Sequence, residues 1–189
     1  MESTSPNLHD ALINFSQSYL EQYRDKLGHF PVVEADEQWA SPCELSKFND
    51  DLVHWQPIKI TEQLSFNNVE NALEIKLHPS IKAYFSTIYS ESIPATCEHG
   101  HLQLLFAWSK DDFDRLQQNL IGHILMKQKL KQDVTLFFAV TDQDDHVVTL
   151  DNATGEVWVE KVGRKPHKKL ANTLEEFILQ LSPDIYVEK

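Results

Sequence analysis

Leu8, Leu12, Phe15, Tyr19 and Tyr23 fall at steps of four, three, four and four. That spacing puts them on one helix face, and Ser5 and Pro6 stand as start signals in front of it. Between Gly28 and Gln63 no period holds: prolines, acids, Trp39, Trp55 and the stretch Ser41-Pro-Cys-Glu44 follow irregularly, which reads as a long ordered loop or short strands. Val69, Ala72 and Leu73 fit a brief helix after Asn67. Ile81, Tyr84, Phe85 and Ile88 fit another starting at Pro79, whose missing N–H costs nothing at a helix start. An extended Ile75-Lys-Leu77 is expected between them.

From His101 to Trp108 the pattern changes to alternation, with Leu102, Leu104, Phe106 and Trp108 on one side of a predicted strand. Ser109-Lys-Asp-Asp112 then has the form of a capping box, and Asp111 and Asp112 complement the positive end of the helix it opens. Phe113, Leu116, Leu120, Ile121 and Ile124 line that helix to about Lys131. Val134 to Val140 is apolar on both faces, as a central strand should be. His146 to Leu150 and Glu156 to Val162 follow as strands separated by turns at Gln143-Asp-Asp and Asn152-Ala-Thr-Gly155, a meander. Asn172 or Thr173 caps a last helix carrying Leu174, Phe177, Ile178 and Leu181, ended by Pro183. Strands grouped with helices before, within and after them describe an α+β, or mixed α/β, single domain over 1–189, with a central, largely antiparallel β-sheet flanked by helices.

Composition narrows the function. With 41% apolar and 10% aromatic residues over 189 positions, the chain can bury a core. The longest apolar runs, Leu104 to Trp108 and Leu136 to Val140, are five residues each, far short of the roughly 20 a bilayer span needs. The first residues carry neither the basic nor the apolar region of a secretory signal, so a cytoplasmic protein is expected. Net charge is −12, and it is uneven: residues 1–160 hold 25 acids and 11 bases, whereas 161–189 hold 4 and 6. Such a field repels nucleic acid and anionic headgroups and attracts basic partners. The basic stretch Lys161 to Lys169, broken by Gly163 and Pro166, reads as a solvated loop.

Catalytic motifs are scarce. Five glycines include no dinucleotide fingerprint, phosphate cradle or nucleophile elbow, and nothing local activates Cys43. Cys97, His99 and His101, completed by Cys43 or His78, would make a zinc site; one tight cluster without a second cysteine pair fits a surface loop better. Asp142, Asp144 and Asp145 lack the twelve-residue calcium loop and read as a hairpin turn. No cofactor or catalytic residue is expected. Acids accumulate instead at Asp36 and Glu37, at Asp50 and Asp51, and at Asp111, Asp112 and Asp114 beside Trp108. Carboxylates among aromatics suit Arg and Lys, against the plainer reading of a solvated surface.

Trp55-Gln-Pro57, Asn68-Val-Glu-Asn-Ala72, Trp108-Ser-Lys-Asp-Asp-Phe113, Gln117-Gln-Asn-Leu-Ile-Gly-His123, Thr154-Gly-Glu156 and Leu170-Ala-Asn-Thr-Leu-Glu-Glu-Phe177 together resemble the Syd family of SecY-interacting proteins. The resemblance runs from the first helix to Pro183. It implies a SUKH-like fold and a soluble, non-catalytic regulator. Such a protein sits peripherally on the cytoplasmic side of the inner membrane, bound to SecY translocon loops through an acidic concave face rather than by insertion. By motif position it implies docking roles for Glu70, Asp111 and Asp112, with Trp55 and Trp108 as aromatic neighbours; Asp114, Asp36, Glu37, Asp50 and Asp51 are added from charge clustering. The same fold likeness allows a second function, an immunity-type domain that neutralises a basic toxin nuclease.

Overall fold

A computed structural model describes residues 7–186. The first helix, α1 (Leu8–Leu27), is capped by Asn7, whose side chain accepts from the Asp10 N–H at 2.9 Å. Ser5 and Pro6, expected to supply the start, lie outside the described residues. The irregular stretch resolves into short strands: β1 (Val32–Glu34), β2 (Glu44–Lys47) and β3 (Leu52–Trp55) form an antiparallel sheet in the order β1-β3-β2. A 3-10 turn at Glu37–Trp39 sits between β1 and β2. β4 (Ile58–Lys59) pairs with β5 (Ile88–Tyr89).

Helices α2 (Asn67–Leu73) and α3 (Pro79–Phe85) form where expected, except that α3 stops at Phe85. Ile88, placed on that helix face by its spacing, belongs to β5, because the Thr87 C=O is engaged by the Ile60 N–H. The link Ile75–Leu77 has no ladder partner. It is held by Asn152, whose side chain accepts from the His78 N–H and donates to the Lys76 C=O. Gly155 is required there: a Cβ would meet the His78 ring at 2.7 Å, and its φ is +78°.

The main sheet has seven antiparallel strands. They are β6 (Ile93–Cys97), β7 (Gly100–Leu104), β8 (Thr135–Thr141), β9 (His146–Asp151), β10 (Val157–Lys161), β11 (Lys168–Ala171) and β12 (Ser182–Pro183), in the order β11-β10-β9-β8-β7-β6-β12. The expected meander is present, with three more strands than expected, β6, β11 and β12. Cys97 to His101 is a tight hairpin in which Cys97 pairs with Gly100, and Lys168 and Lys169 pair with Val159 and Trp158 rather than floating in a loop. The strand predicted to reach Trp108 ends at Leu104; Leu105 still bonds to the Phe138 C=O before the chain turns toward α4 (Lys110–Lys129).

β8 occupies the middle of the sheet. Its Phe137 meets His123 of α4, while Phe138 meets Tyr84 of α3 and Phe177 of α5 (Leu174–Leu179). Helices therefore cover both faces, which is why this strand carries an unbroken apolar run. α1 packs on α3, α5 and β12, and α2 packs on α4. Between α4 and the sheet lies a buried polar knot: Lys127 Nζ donates to Glu160 Oε1 at 3.2 Å and to the Arg164 C=O at 3.1 Å, and the Thr135 and Thr149 hydroxyls donate to Glu160 at 3.0 Å each.

Candidate functional site

The start of α4 orders one wall of a groove. Ser109 Oγ accepts from the Asp112 N–H at 3.2 Å, and Asp112 Oδ2 accepts from the Trp108 N–H at 2.8 Å, so the capping carboxylate reaches one residue further back than a standard capping box. This pins Trp108, whose carbonyl also accepts from the Ser41 hydroxyl. Trp108 meets Trp55 edge-on at 6.0 Å, and Trp55 stacks on Tyr19 of α1. Opposite stands Trp39, carried by the 3-10 turn that Asp36 caps through the Gln38 N–H at 2.9 Å.

Between these walls lies a cavity of about 390 Å³ lined by Glu34, Asp36, Glu91 and Asp112 over Leu105, Phe106, Leu116 and Phe137. Arg115 is the one Lys or Arg among its described lining residues. Its guanidinium lies 4.7 Å over the Trp39 ring and 2.8 Å from Asp112 Oδ1. Glu91 and Ser92 also line a second cavity, of about 560 Å³, walled by Tyr19, Tyr23, Trp55, Asp184 and Tyr186; no Lys or Arg is among its described lining residues. Pro94, Gln103, Asp184 and Tyr186 continue into a third, of about 400 Å³, that Asp142 flanks. The two shared borders join the three cavities into one groove along the side of the molecule.

Of the ten residues singled out from the sequence, Asp36, Trp108 and Asp112 meet in the first cavity and Trp55 lines the second. Asp111, Asp114 and Glu37 are exposed but line none of the three cavities, and Asp114 lies within 3.8 Å of Lys110. Asp50 and Asp51 lie apart, in the β2–β3 turn. Glu70 corrects the expectation that it joins Asp111 and Asp112 on an open face: it is buried on α2 and engaged by Lys82 and, at 3.2 Å, by Lys76. The Lys82 hydrogen bond holds its carboxyl below the ordinary carboxylate range. Its charge is spent inside the fold.

Glu34, Glu91, Asp184, Trp39 and Arg115 were not picked out as site residues. Glu34 falls just outside the Asp36-Glu37 pair and Glu91 stands alone in sequence, so a search for adjacent acids passes over them; the fold brings both to the lining of the first cavity.

The alternative chemistries find little support in the geometry. Burial pushes the Cys43 thiol up to about 11, the reverse of what an activated nucleophile needs. His78 caps α3 by accepting from the Ser80 N–H, and His101 pairs with Asp184 at 2.8 Å. Among the described residues no three His, Cys, Asp or Glu side chains are placed to hold a metal ion. Asp145 is engaged by Lys161 and His146.

A profile of the family described as Syd protein (SUKH-2) matches residues 9–183. Among curated proteins, Protein Syd of Colwellia psychrerythraea is 55% identical over 191 residues, covering 96% of each chain. Protein Syd of Alteromonas mediterranea is 47% identical, covering 91% of this chain and 94% of its own, and that of Shewanella frigidimarina is 44% identical, covering 93% and 82%. A profile match spanning most of the chain, together with relatives this similar over nearly their whole length, establishes that the chain belongs to the Syd family.

Proposed function

We propose that the chain, acting as one Syd-like domain over 1–189, is a non-catalytic regulator. Its groove receives basic cytoplasmic loops of the SecY translocon channel, and the docking monitors the integrity of SecY complexes. The observation that carries this reading is the groove itself: Glu34, Asp36, Glu91 and Asp112 above an aromatic floor, facing one cation. Such a lining suits Lys and Arg side chains through ion pairs and ring faces. Membership of the Syd family supports SecY as the source of those side chains.

The membrane setting agrees. Cytoplasmic loops of membrane proteins are rich in Lys and Arg, whereas the leaflet around them is anionic, so a chain of net charge −12 is drawn to the loop and repelled by the lipid. No described helix is long and apolar enough to cross a membrane, which fits peripheral attachment on the cytoplasmic face of the inner membrane through protein contact.

The test is retention on SecY-containing inner-membrane vesicles. Glu34→Lys with Glu91→Lys, two positions outside every helix cap, should lower retention about tenfold or more. Asp50→Lys with Asp51→Lys, the same charge change outside the groove, should leave most of it. Equal loss from both pairs would reduce the effect to net charge and remove the groove from the reading.

A further inference from the structure

The first cavity already holds a cation, and it is the protein's own. Arg115 lays its planar group over the Trp39 ring at 4.7 Å and donates from Nη2 to Asp112 Oδ1 at 2.8 Å. These are the two contacts a docked guanidinium makes, one to a ring face and one to a carboxylate. We infer that Trp39 and Asp112 form a guanidinium-reading subsite, which Arg115 fills in the free protein and which a partner's arginine enters by displacing it. This deepens the docking reading above and rests on it.

Both walls of the subsite are set without help from Arg115. Asp112 Oδ2 is held by the Trp108 N–H, which aims Oδ1 into the cavity, and the Asp36-capped turn holds Trp39 in place. Arg115 itself is loosely kept. Its side chain is 61% exposed and pairs with a residue three positions earlier on the same helix, so its departure breaks a solvent-screened contact and uncovers no core. An incoming arginine makes the same two contacts, while the chain that carries it lies along a cavity where Glu34, Asp36 and Glu91 await further cations. A lysine gains less, because its compact ammonium lacks the plane that stacks on the indole and the fork that grips a carboxylate. Arg115 thus sets a threshold: a single stray charge gains little over the resident one, and a segment bearing an arginine among other basic residues gains more.

Calorimetry on the full chain tests this with two capped pentapeptides, one carrying two arginines and the other two lysines at the same positions. The wild type should prefer the arginine peptide. Arg115→Lys keeps the net charge but surrenders the stacked plane, so the arginine peptide should bind about threefold tighter. Trp39→Leu should erase the preference for arginine over lysine. Equal or weaker binding by Arg115→Lys, an undiminished arginine preference in Trp39→Leu with an unchanged circular dichroism spectrum, or no measurable binding of the arginine peptide to the wild type would each overturn the subsite. Loss of SecY as a partner in the vesicle assay would leave these peptide results standing, so the two readings fail separately.

Discussion

Asp112 shows how much one carboxylate can be asked to do. One oxygen closes the start of α4 on the Trp108 N–H and the other faces the groove, where Arg115 meets it. Asp112→Ala should therefore cost about 1 kcal/mol of folding stability, the usual worth of such a cap, and weaken docking as well. Urea denaturation reads the first effect and vesicle retention the second. The capping role was legible in Ser109-Lys-Asp-Asp112, and a docking role was expected from motif position; the contact with Arg115 was not legible, because Trp39 and Arg115 meet only after folding. Glu70 is the opposite case, an acid whose family motif was visible and whose burial was not, since Lys82 reaches it from a different helix. Its carboxyl titrates lower in the folded chain than in the unfolded one, so the stability it adds is complete above the ordinary 4.5 and disappears as pH falls through the folded value. Glu70→Gln should flatten that part of the curve. Comparing denaturation midpoints of the two proteins between pH 6 and pH 3 checks the sign.

At the scale of elements, α4 explains both the success and the limit of reading periodicity. The expected face was Phe113, Leu116, Leu120, Ile121 and Ile124. The buried positions are Phe113, Gln117, Leu120, Ile124 and Lys127, so the inward stripe runs through two polar residues that a count of apolar positions treats as breaks. Leu116, displaced from that stripe, lines the groove instead. Lys127 is tolerated because Glu160 and the Arg164 carbonyl satisfy it. Lys127→Met strands Glu160 in the interior and should cost about 3–5 kcal/mol, whereas adding Glu160→Gln should restore most of it. Chemical denaturation of the single and double variants measures the difference.

His123 sits on the edge of the same knot. The Thr135 hydroxyl gives its proton to Glu160, so His123 Nε2 must carry a proton and donate to Thr135 Oγ1 at 3.0 Å. Burial holds its pKa below the ordinary 6.5. Unfolding lets the ring take up a proton, so stability is full above 6.5 and falls as the pH drops toward the folded value. His123→Gln should lose this dependence between pH 7.5 and 5.5.

For the molecule as a whole, the sequence carried the sign of the field and the class of the fold. It did not carry the groove. Glu34 precedes the 3-10 turn, Glu91 leads into β6, Asp112 opens α4 and Asp184 follows β12; they are far apart in sequence, and only the packing of separate elements assembles them. The small N-terminal sheet was legible only as a choice between a long loop and short strands, since strands of three or four residues are too short to display a period. Because the proposed docking surface is built from partly exposed carboxylates, vesicle retention should fall steeply as salt rises from about 0.05 to 0.5 M and the Debye length shrinks. An interface held by apolar contact would keep its strength.

The packing of α1 against α5 and β12 has a bearing on how the chain comes off the ribosome. α1 is made well before α5 and β12, its supports from the far end of the described fold, where Lys26 also reaches the Ile185 carbonyl. Until then Leu8, Leu12, Phe15 and Tyr19 wait with part of their cover missing, and the edge of β6 that Ser182 and Pro183 close stays open. The cover of α1 and the closing of the β6 edge thus come together, once α5 and β12 have both been made.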